Sequence, residues 1–383
     1  GGVFLIGVVV AVPGSVLPVW SSPLPVDTTA GSLIFAALTL GLLAGILYAP
    51  RLRKRGNSAL HRLLTVSLAC MSVAFASLSA TPLVLRLFAG WFGLGVAGGG
   101  LLAVVSTLLP HIATPNYSVR VLDLAGLTLG GAGVVVCLLS SAGMQGPSAT
   151  LLLLTMSSLA LLSSVWAWCS PALEGVPPLM STDFPLGWKD VANPVVLLLV
   201  LSIVVQSASQ WAVAGWLPAY LSRRFGLSAG TDLSVLAGFW LSLSIARLLA
   251  GRRVKLDSPL RSLGWPTLAS LAGCSLLLQL EGLSGAVVGS LLLGAGLGSL
   301  HPVTLALLGR TYMSNRSGFV YAVLSLWVVA GLPVSVLIGY LAKRVGIEVV
   351  VWIVAGNALL AFLLLATVLV ETRLAKEAGE ARL

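Results

Sequence analysis

Charge is what this sequence has least of. Only 9% of its 383 residues are Asp, Glu, Lys or Arg, against about 25% in an ordinary soluble domain. That shortage excludes a water-soluble fold, whose hydrophobic runs are broken at short intervals by polar faces. Acids are the scarcest of all, twelve in number, and none falls in the middle of an apolar run. The four cysteines, Cys70, Cys137, Cys169 and Cys274, are far apart and form no CxxC pair. Neither a disulfide framework nor a zinc site is indicated, and small buried hydrophobe is their default role. HExxH, paired aspartates, a nucleotide loop and a Ser/His dyad at usable spacing are all missing, so no enzyme, metal or cofactor is expected. The net charge of +10 and pI near 10 do not signify nucleic acid, because no basic domain stands outside the apolar segments.

Long apolar runs fill the chain instead, and the mean hydropathy is +1.02. A run of ~20 apolar residues is the length needed to cross a ~30 Å hydrocarbon core. Such runs are placed at about 1–22, 29–50, 60–79, 82–110, 121–143, 148–169, 191–218, 232–252, 262–280, 284–309, 317–342 and 347–370. The expected fold class is therefore an all-α integral membrane protein with twelve transmembrane helices. The run Gly1–Trp20 lacks a basic n-region and an A-x-A site, and reads as a first span rather than a signal peptide. Only one connection is long. Residues 170–190 contain four prolines without helical periodicity and read as a linker. The expected organisation is a six-helix bundle over 1–169, a cytoplasmic linker over 170–190, a second bundle over 191–370 and a cytoplasmic tail over 371–383.

Charge placement orients these spans. With both termini inside, sixteen of the 22 basic residues fall in inner loops or the tail. Four, Arg223, Arg224, Lys343 and Arg344, fall outside, and Arg86 and Arg247 lie within spans. This asymmetry is the positive-inside pattern and predicts cytoplasmic termini in an inner membrane. The halves also repeat each other. Leu17-Pro18 recurs as Leu217-Pro218, Leu42-Leu43-Ala44-Gly45 as Leu248-Leu249-Ala250-Gly251, and Gly93-Leu94-Gly95 as Gly296-Leu297-Gly298, at nearly constant offset. Parallel six-span repeats are one of the architectures of secondary transporters.

On these residues the chain resembles the major facilitator superfamily over essentially its whole length. The basic loop Gly45 to Gly56, with Arg51, Arg53, Lys54 and Arg55, is similar to the superfamily's loop 2–3 signature, with Ala49 and Pro50 in the region of its usual Asp. Arg86 followed by Gly90, Gly93 and Gly95 is similar to the span 4 signature. Two stretches resemble the fucose–galactose–glucose:proton symporter-type sugar permeases: Ala214 to Leu221, and Gly238 to Arg252 with Trp240 and Arg247 inside it. The resemblance implies two pseudo-symmetric six-helix bundles working by alternating access. Proton-coupled members of that sugar group carry embedded acids in the N-terminal half, and this chain has none there. Drug:proton antiporters carry a Gly-Pro signature in span 5, and the stretch Gly126 to Gly133 has glycines without the proline.

Polar side chains inside spans are site candidates, since hydrocarbon offers them no partner. Gln206 and Gln210 lie four apart and so share a helical face, with Trp211 beside them. Amides and an indole suit a polyhydroxylated ring; the alternative is interhelical hydrogen bonding, worth ~0.6 kcal/mol. His301-Pro302 is expected to break span 10 near its middle, and His301 is the candidate for proton coupling or, alternatively, a structural histidine. Trp240 and Trp327 sit away from the interfacial belt and are candidates for substrate stacking or plain packing. Arg86, Arg247 and Arg51 read as gating or structural charges. The glycine stripe of span 4 is a packing and sliding device.

The expected function is a transporter, secondary active or facilitative, for a small neutral polar solute, sugars first, either as a uniporter or linked to protons. Efflux of amphipathic or drug-like compounds is the first alternative, and a non-transporting membrane sensor or scaffold the second. The expected partners are the small-molecule substrate, the lipid bilayer and protons, with no nucleic acid and a monomeric state.

Overall fold

The computed structural model describes residues 1–20, 28–53, 57–80, 84–112, 118–143, 148–170, 194–253, 259–311 and 316–380. Twelve helices make up this part of the chain: α1 Gly2–Trp20, α2 Thr28–Arg53, α3 Asn57–Ser79, α4 Val84–Ile112, α5 Ser118–Gly143, α6 Ser148–Cys169, α7 Pro194–Phe225, α8 Ala229–Arg253, α9 Pro259–Gln279, α10 Gly282–Thr311, α11 Arg316–Val345 and α12 Val349–Glu380. Among the described residues, nine helices hold a stretch long and apolar enough to cross a membrane, and α1 holds a shorter one, Gly2–Val16. A lipid environment demands this all-helical build, because each backbone N–H and C=O must find its partner within its own segment. The outward faces are correspondingly greasy: Val73 is 69% exposed and Leu162 68%.

Helix packing reproduces the internal repeat. α2 packs on α4 as α8 packs on α10; α3 packs on α4 and α6 as α9 packs on α10 and α12; α1 packs on α5 as α7 packs on α11. Between the halves, α5 lies on α8 and α2 on α11, two contacts that the same sixfold shift exchanges. The repeated glycines perform the same task in each half. A Cβ on Gly95 would strike the Leu38 carbonyl of α2, and one on Gly298 the Leu243 carbonyl of α8. Small residues thus bring α4 onto α2, and α10 onto α8, almost backbone to backbone. The structure is that of two pseudo-symmetric six-helix bundles.

Several helix boundaries depart from the sequence expectation. α7 runs seven residues past Pro218, to Phe225, and ends at Gly226, whose φ of +65° suits only glycine. Pro218 leaves the Ala214 carbonyl without an intrahelical donor, and Gly14 of α1 packs directly on that carbonyl. The neighbouring helix therefore covers the group that proline frees. His301-Pro302 likewise does not break its span: α10 continues from Gly282 to Thr311 with Pro302 inside. The residue one turn back, where a proline ring presses, is Gly298, which has no side chain to crowd. α12 continues to Glu380, so most of the expected tail is helical.

The four basic residues expected on the outer side also acquire a reason. Arg223 and Arg224 occupy the last turn of α7, and Lys343 and Arg344 that of α11, where cations complement the helix dipole. Arg224 Nη2 also donates to the Leu278 carbonyl at 3.1 Å, and the Arg344 guanidinium lies 4.6 Å from the Tyr340 ring centre. The expected linker lies, apart from Ser170, outside the described residues.

Candidate functional site

The polar residues singled out in the second half converge. Gln206 and Gln210 of α7, Arg247 of α8 and His301 of α10 are all buried. Gln206 Nε2 donates to Thr304 Oγ1 of α10 at 2.8 Å and to Ser202 Oγ of its own helix at 3.0 Å. Thr304 Oγ1 in turn donates to the Leu300 carbonyl at 3.2 Å. One turn along α7, Gln210 Oε1 accepts from Arg247 Nη2 at 3.3 Å. His301 lies one turn before Thr304 on α10 and is buried with it. One oxygen and one nitrogen remain available for a ligand: among the described residues Gln206 Oε1 and His301 Nδ1 have no hydrogen-bond partner. Their burial excludes a lipid-facing position.

Local sequence explains the placement. The i, i+4 spacing of Gln206 and Gln210 puts both amides on one face of α7, and the i, i+3 spacing of His301 and Thr304 does the same on α10. On the other side of the polar group an apolar cluster closes off the bundle, with Leu199 and Ile203 from α7, Leu263 from α9, Leu300 and Val303 from α10 and Leu365 from α12.

The first half contributes a surface without side chains. A Cβ on Gly126 of α5 would lie 2.5 Å from Arg247 Nη1, one on Gly130 would strike Ser244 Oγ, and one on Gly133 would lie 2.6 Å from the Trp240 ring. Three glycines on one face of α5 thus receive three side chains, Arg247, Ser244 and Trp240, from one face of α8, and the seam between the halves is closed here. The far end of the same pair is latched by Ser141 Oγ, which donates to the Gly230 carbonyl at 2.7 Å and lies 2.9 Å from Ser234 Oγ. Trp211 is received in the same manner by Gly331 of α11. Trp240 is fully buried and its Nε1 has no partner among the described residues.

The other expected charges and rings separate from this group. Arg86 is exposed in the first turn of α4. Arg51 lies in the last turn of α2 and Trp327 in α11, and the side chains of both lie outside the described residues. Arg247 is buried, and one of its acceptors is the Gln210 amide.

Sequence reasoning missed Ser202 and Thr304, which look like any hydroxyl in a Leu-rich helix until their partners are known. It also singled out no acid. Asp232, the first residue of the expected run 232–252, sits in the first turn of α8, fully buried, and neither carboxylate oxygen has a partner among the described residues. Ser228 starts that turn, with Thr231 N donating to Ser228 Oγ at 3.4 Å. The i, i+4, i+7 pattern of Asp232, Leu236 and Phe239, which continues a buried face, was the available signal.

The sequence signature of the Major Facilitator Superfamily matches residues 199–382, from α7 to the end of α12. None of the curated proteins matches the sequence. Solved structures are similar over nearly the whole chain. The transporter FucP in its outward conformation shares 15% identity with a TM-score of 0.67, covering 96% of this chain and 97% of that one. A variant of the E. coli fucose:proton symporter FucP gives 15% and 0.64, covering 96% of each. The human organic anion transporter TETRAN gives 14% and 0.65, covering 95% of this chain and 98% of that one. At such identities the likeness concerns the fold, and the sequence signature concerns the second half. Together with the repeat geometry, they give this chain the fold of the major facilitator transporters, with the superfamily's sequence signature in its second half.

Proposed function

We propose that the chain is a secondary transporter of a small neutral polar solute, sugars first, bound at Gln206, Gln210, Trp211, Trp240 and His301 and moved by rocking of the two bundles. The observation that carries this reading is the buried polar chain across α7, α8 and α10, from Gln206 and Thr304 to Gln210 and Arg247. Amide, hydroxyl, imidazole and indole groups match the donors and acceptors of a hydroxylated ring, while Trp211 and Trp240 offer apolar plates for its faces. The side-chain-free face of α5 supports the mechanism. Parting α5 from α8 uncovers Trp240, Ser244 and Arg247 without breaking a packed core, which suits a site opened and closed by relative motion of two halves. Likeness in fold to a fucose:proton symporter agrees with this substrate class.

The test is binding to the purified protein followed by flux in liposomes. A ligand specific for the folded state raises its apparent stability. Hexoses and pentoses are expected to do so in an order set by hydroxyl configuration, and Gln206→Leu and Gln210→Leu to weaken that response by about tenfold, the loss of one good polar contact. Stabilisation that follows ligand hydrophobicity or a carboxylate, regardless of hydroxyl pattern, overturns the sugar reading. Coupling is tested at His301: counterflow that depends on pH in the original protein and loses that dependence in His301→Ala supports proton linkage, and counterflow indifferent to both excludes it.

A further inference from the structure

A cavity lies away from the polar group, at the end of the first half where α2 finishes and α3 begins. It encloses about 690 Å³. Its depth comes from small residues. Gly45 of α2 lets α4 approach so closely that a Cβ there would lie 2.8 Å from the Gly100 backbone nitrogen, and Gly100 in turn sits against the Ser67 side chain of α3. α4 is thereby drawn between its neighbours, and Ala97 and Gly100 become the floor of a groove walled by α2 and α3. Val66, Phe92 and Val96 stand exposed along it. An exposed apolar rim on a membrane-spanning helix faces acyl chains.

One end of this groove has a different chemistry. Arg62 and Tyr48, both exposed lining residues, bring a guanidinium and a phenol to it. The sequence just beyond Tyr48 is Arg51, Arg53, Lys54 and Arg55, and no acid occurs anywhere between Asp27 and Asp123. The cations at this end therefore have no counter-ion of their own segment. A groove that is apolar along its length and cationic at its headgroup end is complementary to one molecule that a bilayer always supplies.

We propose that this groove binds an anionic glycerophospholipid, with one acyl chain lying over Ala97 and Gly100 beside Val66 and Val96, and the phosphate on Arg62. Guanidinium meets phosphate oxygens in a two-pronged geometry, and basic pockets between membrane helices are established places for such headgroups. Because α2 packs on α11 across the two halves, a lipid seated on α2 is positioned to influence their relative motion.

Two exposed cysteines make the test direct. Cys70 lines the groove, Cys169 lies at the end of α6 away from it, and Cys137 and Cys274 are buried. The whole protein in mild detergent is titrated with phosphatidylglycerol or with phosphatidylcholine of the same chains, and maleimide labelling is read at each cysteine by mass spectrometry. Phosphatidylglycerol is expected to slow labelling of Cys70 severalfold more than phosphatidylcholine does, with Cys169 unchanged. Arg62→Gln is expected to abolish the preference between the two lipids. Val66→Trp, which fills the groove from an exposed position, is expected to abolish protection by both. Continued protection of Cys137 and Cys274 shows that each variant is folded. Equal slowing of Cys70 and Cys169, or a phosphatidylglycerol preference that survives Arg62→Gln in the folded protein, overturns the proposal.

Discussion

Arg247 of α8 donates through Nη2 to Oε1 of Gln210 on α7, at 3.3 Å, and so ties a fixed cation to one of two amides on a single helical face. A hydrogen bond to a charged group contributes about 1.5–3 kcal/mol, and the planar guanidinium cannot be replaced by an ammonium at the same geometry. Arg247→Lys is therefore expected to lower solute flux by about 10- to 100-fold, measured in liposomes at matched protein incorporation. Unchanged flux would remove Arg247 from the working parts of the site.

The α5–α8 seam gives a paired prediction. A Cβ on Gly133 would lie 2.6 Å from the Trp240 ring, whereas one on Gly131 would meet nothing within 4 Å. Overpacking costs about 1–3 kcal/mol, so Gly133→Val should prop the seam open and abolish flux while the protein remains folded. Gly131→Ala should be silent or stabilising by up to ~1 kcal/mol, from helix propensity alone. Thermal unfolding in detergent and liposome flux, measured on both, distinguish the two outcomes.

Gln206 and Thr304 should be energetically coupled. Their 2.8 Å hydrogen bond joins α7 to α10, and such bonds between membrane helices average ~0.6 kcal/mol. A double-mutant cycle with Gln206→Leu and Thr304→Val, read by unfolding, should return a coupling of about that size. Additive effects would mean that the two groups do not meet in the folded protein.

Asp232 should respond to neutralisation with a gain. Burying an unaccompanied carboxylate is costly, and both its oxygens lack partners among the described residues. Asp232→Asn is expected to raise the apparent Tm in detergent, by the equivalent of about 1 kcal/mol. A lower Tm would show that a bound cation or donor holds the carboxylate in solution. Loss of proton-driven accumulation in the same variant, with counterflow retained, would make Asp232 a coupling group.

The twelve helices were legible because lipid leaves a chain few choices: an apolar run of the right length has to satisfy its backbone internally, and helix is the way to do it. The repeated Gly95 and Gly298 were legible as a motif, and their shared work against Leu38 and Leu243 is why they recur. The proline of α10 misled, because Pro302 reads as a break by local rules, while Gly298 one turn back and the packing against α8 let the helix pass through. Gln206 and Gln210 stood out because an amide in an apolar run is costly. Thr304 and Ser202 did not, because a hydroxyl can satisfy itself on its own helix, as Thr304 does with Leu300.

The sequence alone determined the solvent, the number of helices and which residues were too polar to face lipid, since all three follow from transfer free energies counted along the chain. Tertiary structure decided who meets whom. That Arg247 reaches Gln210 and that Trp240 closes on Gly133 are contacts between segments distant in the chain, and the burial of Asp232 in α8's first turn is likewise a product of packing. Local propensity carries no information about such distances; they are set by how small residues let one helix approach another.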